Sequence, residues 1–117
     1  MTLEAQVPPA ERHRRYLSEG MLAYQEAPDG TPVFPPRYAS PGTGERLAWK
    51  VSAGRGEVFA TTVARPRGAE PYNVALVRLD EGFRMMSRVE GVAPADVRIG
   101  QRVEVRFRDG LAVFVPA

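Results

Sequence analysis

Arg102-Val103-Glu104-Val105-Arg106-Phe107-Arg108 alternates without a break between charged and apolar residues, and Asp109-Gly110 then leads into Leu111-Ala112-Val113-Phe114-Val115. On a strand this alternation puts Val103, Val105 and Phe107 on one face and Arg102, Glu104, Arg106 and Arg108 on the other. Asp-Gly between two such runs is the turn chemistry of a tight hairpin. The end of the chain therefore reads as the wall of an antiparallel β structure, one face in a core and one in water. Other strands must supply the rest of that core.

They are visible upstream. Tyr72-Asn73-Val74-Ala75-Leu76-Val77-Arg78-Leu79 is the strongest strand signal, and Asp80-Glu81-Gly82 turns it into Phe83-Arg84-Met85-Met86-Ser87-Arg88-Val89. Gly56 to Ala64 is long and rich in β-branched residues, and Leu47 to Ser52 alternates up to Gly54. Ala93 to Val97 reads as a helical turn. Eleven glycines and eleven prolines favour short strands and frequent turns over long helices. Five to seven short strands with a small helical element before the last pair predict a mainly β chain, an OB-fold antiparallel barrel. Ahead of it, Ala10 to Glu19 has helical propensity after the flexible stretch Ala5 to Pro9. Its thin apolar content requires support from the barrel or a partner. Residues 27–45 are dense in breakers, with two tight turns flanking the extended piece Val33 to Tyr38. The expected organisation is a flexible N-terminus and helix over 1–26, a turn-rich segment over 27–45 and the barrel over 46–117.

Composition narrows the function. All but one of the 16 basic residues are arginine, Lys50 being the exception, and they nearly balance 14 acidic residues. Arginine abundance here reads as coding bias rather than as a basic nucleic-acid face. With no cysteine, disulfides, thiolate zinc sites and thiol nucleophiles are excluded. Met1 to Pro9 lacks the pattern of a signal peptide, and no apolar run nears the roughly 20 residues a membrane helix needs. A soluble, cytoplasmic protein is expected.

The block Pro71 to Gly82, followed by Met86 and by Val97-Arg98-Ile99-Gly100-Gln101-Arg102-Val103-Glu104-Val105, closely resembles the acyl-CoA-associated OB-fold family. Gly54-Arg55-Gly56-Glu57-Val58 and Phe34-Pro35-Pro36-Arg37 fit the same pattern, and the resemblance covers about residues 10–117. It implies an N-terminal helix, a rubredoxin-like zinc ribbon and a C-terminal OB barrel. It also implies a noncatalytic accessory role beside thiolase-like enzymes, acyltransferases or hydratases. The family carries a Cys-x-x-Cys pair on each side of Phe-Pro-Pro-Arg. Here the first falls on Glu26 and Asp29, or on Ala27 and Gly30, and the second on Ser40 and Thr43. No thiolate remains, so a degenerate ribbon without metal and without a cofactor is expected.

No catalytic set can be assembled. His13, the only histidine, reads as solvated, and Asp80 and Glu81 read as turn residues. The partner-binding expectation rests on Tyr16, Leu17, Met21, Leu22, Phe34 and Tyr38, apolar residues in the helix and ribbon that need a cover. Arg37, held by two prolines, can pair with a CoA phosphate, a partner's carboxylate or a carboxylate of its own chain. Met85 and Met86 take opposite faces of one strand, leaving one, assigned as Met86, to meet an acyl chain or partner. The partner implied is a thiolase-like or other acyl-CoA enzyme subunit. The alternative is an OB module binding single-stranded nucleic acid, which the alternating outward charges disfavour.

Overall fold

The computed structural model describes residues 7–117. Of the expected flexible stretch Ala5 to Pro9, Ala5 and Gln6 lie outside the described residues. Helix α1 (Pro9–Ser18) starts with a proline at its first position, where the missing amide costs nothing. It ends in a Schellman arrangement: Gly20 N–H donates to Leu17 O (3.0 Å) and Met21 N–H to Tyr16 O (2.9 Å).

Two antiparallel sheets follow. The smaller one, ordered β2-β1-β3, joins β1 (Ala23–Glu26), β2 (Pro32–Val33) and β3 (Ala48–Val51). The larger comprises β4 (Arg55–Ala64), β5 (Tyr72–Leu79), β6 (Arg84–Ser87), β7 (Arg102–Arg108) and β8 (Leu111–Pro116), in the order β6-β5-β4-β7-β8. Its ladder does not close. The edge strands meet through one parallel bridge between Val89 and Phe114, where Glu90 N–H donates to Phe114 O (2.7 Å) and Phe114 N–H to Arg88 O (2.9 Å). Pro94–Asp96 forms a 3-10 turn ahead of β7.

The strand read as the first of the barrel pairs elsewhere. Trp49 lies opposite Gln25 and Val51 opposite Ala23, so β3 belongs with β1 in the ribbon sheet. Alternation reveals a strand but not its neighbour. β1 itself, with the sequence Ala-Tyr-Gln-Glu, has little β-propensity and owes its form to burial between its two neighbours.

One core serves both sheets. Leu22 and Tyr24 from the ribbon side join Val58, Ala75, Val77, Leu79, Phe83, Met85, Val103 and Phe114. Phe83, just after the β5–β6 turn, stacks on Tyr24 at 4.8 Å and on Phe34 at 5.1 Å between ring centroids. Glu81 in that turn locks the joint, accepting from Ser52 Oγ (2.7 Å) and Ala53 N–H (2.8 Å). At Gly56 in β4 a Cβ would run into the Arg78 carbonyl of β5.

Candidate partner-docking surface

The two water-facing sides of the barrel differ in how their charge is balanced. On the β7 side the outward residues neutralise one another. Arg102 grips Asp80 with two bonds (2.9 and 2.8 Å), Arg106 meets Glu104 at 2.7 Å, and Arg108 meets Glu90 at 2.7 Å. The Arg102 hydrogen bonds hold the Asp80 carboxyl below its ordinary range. Such a surface is content in water.

The outer face of β4, β5 and β6 has one ion pair, Arg78 with Glu57 at 3.9 Å, beside cations that have none. Register puts Ala60, Leu76 and Met86 in one row across three strands. A β-bulge between Val58 and Ala60 adds a residue to β4, and Phe59 is turned out to 42% exposure. Met86 is 65% exposed, Leu111 55% and Tyr72 37%. Tyr72, Val74, Met86, Arg88 and Leu111 line an open groove of about 310 Å³. The Arg84 guanidinium stands 4.2 Å from the Phe59 ring centre and that of Arg88 4.7 Å from Tyr72. Neither arginine has a carboxylate partner among the described residues.

The helix and ribbon hold fewer free apolar groups than the sequence suggests. Leu22 is 1% exposed and lies in the core, so it cannot face a partner; the Schellman turn swings the chain inward directly after Met21. Leu17 and Phe34 pack on that same core. Tyr16 lies 5.5 Å from Trp49, with the Arg12 guanidinium 5.3 Å from the indole. Met21 is half-buried and Tyr38 is 83% exposed. Arg37 is exposed and forms no ion pair among the described residues. His13 is not the solvated residue expected. Its ring meets Phe34 edge-on at 5.5 Å, and its Nε2 is buried without a partner. Burial, helped by the Arg14 charge, pushes its pKa down.

The positions that align with the family's Cys-x-x-Cys pairs carry donors that do not suit zinc. Ala27 and Gly30 offer no side-chain ligand, and Asp29 Oδ1 accepts from Thr31 N–H at 2.9 Å. Glu26 faces Lys50 at 4.0 Å, and Thr43 Oγ1 accepts from Glu45 N–H at 3.3 Å. Among the described residues, no three His, Cys, Asp or Glu gather as a metal set. An amide side chain ties β1 to the segment after β2. Buried Gln25 donates through Nε2 to Arg37 O (2.8 Å) and accepts from Arg37 N–H through Oε1 (2.7 Å).

Sequence reading missed Gln25, Phe59, Tyr72, Arg84, Arg88 and Leu111. A usable signal existed in the β5–β6 hairpin. The outward phase of β5 (Tyr72, Val74, Leu76) is apolar where water-facing positions are ordinarily polar, and it faces Arg84-x-Met86-x-Arg88.

Residues 49–108 match the family model for the ChsH2 C-terminal OB-fold domain. The chain belongs to that family. It is 30% identical over 114 residues to a DUF35 domain-containing scaffold protein of Pyrococcus furiosus, an alignment covering 86% of this chain and 84% of the relative. It is 32% identical over 111 residues to the 3-oxo-4,17-pregnadiene-20-carboxyl-CoA hydratase alpha subunit of Mycobacterium tuberculosis, over 87% of this chain. The chain spans only 36% of that subunit's length. Among solved structures, a chain of the Ltp2-ChsH2(DUF35) aldolase superposes with a TM-score of 0.77 at 29% identity, covering 90% of this chain and 91% of that one. The family places the barrel within an acyl-CoA-associated OB fold. No helix among the described residues is long and apolar enough to cross a membrane.

Proposed function

We propose that this chain is a noncatalytic accessory subunit of an acyl-CoA-processing enzyme, thiolase-like, acyltransferase or hydratase, in whose assembly it takes part. The observation that carries the reading is near end-to-end similarity to a scaffold protein and to a chain of a two-component aldolase. It is supported by the poverty of the described residues in chemistry. The only histidine is wedged against Phe34, and the carboxylates Asp80, Glu90 and Glu104 are committed to arginines. Among the described residues, the grooves of about 310 and 350 Å³ are open to solvent, unlike the enclosed apolar pockets that hold substrates. Arg37 and Tyr38, exposed beside each other on the ribbon, are suited to a CoA phosphate or a second contact with the enzyme.

The nucleic-acid alternative loses support at the aromatic rings. Base stacking needs free ring faces, and one face of Phe59 and one of Tyr72 are occupied by the guanidinia of Arg84 and Arg88.

Affinity capture of the tagged chain from its host, with mass spectrometry of the bound proteins, tests the reading. A stoichiometric enzyme acting on acyl-CoA thioesters is expected. Capture of nucleic acid alone, released by salt, would overturn it.

A further inference from the structure

We infer that the enzyme docks on the outer face of β4, β5 and β6, and that it meets this face with an apolar patch rimmed by carboxylates. This rests on the accessory-subunit reading and goes beyond it by naming the surface and the chemistry of the opposing one.

The first argument is where apolar area is left uncovered. In the helix and ribbon, Leu22 is in the core, Leu17 and Phe34 pack against it, and Tyr16 covers Trp49, which leaves Tyr38 and Val51 as the exposed large apolar residues there. On the barrel, Phe59, Tyr72, Met86 and Leu111 remain exposed around the Ala60–Leu76–Met86 row. A contiguous apolar face of this kind marks an interaction site rather than ordinary surface.

The second argument is charge. Arg84 in β6 and Arg88 just past its end flank Met86 and form no ion pair among the described residues, while the carboxylate of this face, Glu57, pairs with Arg78 at 3.9 Å. Both guanidinia lie over aromatic rings, which fixes their position before any partner arrives. A wholly apolar partner would strip water from two cations and return nothing, a costly arrangement. Carboxylates in the partner's rim would pair with both. The neighbouring β7 surface cannot play this part, since Arg102, Arg106 and Arg108 already hold carboxylates of their own chain.

The test uses the full chain and the acyl-CoA enzyme captured with it. Met86→Glu puts a carboxylate in the centre of the patch, and Arg84→Gln with Arg88→Gln removes the cations while keeping polar side chains. Each should weaken binding about tenfold or more, the effect expected of central interface residues. Ile99→Ala, at an exposed apolar residue between the 3-10 turn and β7, should bind within about twofold of wild type. Circular dichroism and melting temperature confirm folding, which these exposed sites do not threaten. If wild type captures the enzyme and both barrel variants bind equally well, the docking face is wrong while the accessory role stands. Loss with Met86→Glu but not with the double arginine variant would overturn the carboxylate rim. If wild type captures no acyl-CoA enzyme, the accessory role fails and this inference with it.

Discussion

Replacing Gln25 with leucine asks whether one side chain has taken over the ribbon's cross-strap. Leucine is close to glutamine in volume, so packing around β1 is largely kept while both bonds to Arg37 are removed. Those bonds are short, at 2.8 and 2.7 Å, and join residues twelve apart in sequence. A net gain of about 1 kcal/mol for each makes the pair worth about 2 kcal/mol. Neither Arg37 group regains a protein partner, although water can reach this exposed residue, so the loss should stay near that figure. For a domain of this size about 4 °C of melting temperature accompanies each kcal/mol, and Gln25→Leu should melt about 8 °C lower. Amide exchange at Arg37 should accelerate by roughly thirtyfold, the equivalent of the same free energy. Thermal melts by circular dichroism and exchange followed by mass spectrometry or NMR read the two effects. A melting temperature within about 1 °C of wild type, with Arg37 exchange unchanged, would refute the strap.

Other consequences are as open to measurement. Chelator treatment should leave the melting curve where it was, and protein grown with added zinc should carry far less than one equivalent by elemental analysis, because the ribbon turns present no adequate donor set. Gly56→Ala should cost about 3 kcal/mol or more, since the added methyl meets the Arg78 backbone and not a movable side-chain end; urea titration measures it. Burial, helped by the Arg14 charge, holds the His13 pKa in the fold below the ordinary 6.5. The unfolded chain therefore binds the extra proton first as pH falls. That contribution to stability is fully present above about pH 6.5 and is lost as pH drops through the folded value. Melting temperatures between pH 7.5 and 5 should decline, and His13→Gln should flatten the decline.

Much of the barrel was legible because its strands alternate and its turns are chemically explicit. Asp109-Gly110 carries positive φ at both residues, and β5 buries Asn73, Ala75, Val77 and Leu79 in strict phase. Helix α1 came out within one residue of its expected bounds. The ribbon was less legible. β1 has no strand signature, and β3 alternates convincingly while pairing with the opposite sheet to the one expected. Local pattern cannot fix the partner of a strand when the connection crosses a breaker-rich segment.

The binding surface was legible only in part, for a related reason. Met86 announces itself by standing next to Met85 on one strand, and the two do take opposite faces. Phe59 does not, because the bulge at Val58 and Ala60 breaks the phase that would assign it. Leu22 looks like a free apolar residue after a helix, yet the Schellman turn at Gly20 and Met21 carries it straight into the core. Gln25 is invisible to any pattern, since its role lies in a pairing with the Arg37 backbone.

The central claim is that the chain assists an acyl-CoA enzyme without performing its chemistry. Turnover of the captured enzyme's acyl-CoA substrate, measured for the chain alone, the enzyme alone and the two recombined, tests that most directly. The account predicts no turnover by the chain, impaired turnover or impaired assembly of the enzyme alone, and recovery on recombination. Turnover by the chain alone, or an enzyme indifferent to its presence, would contradict it.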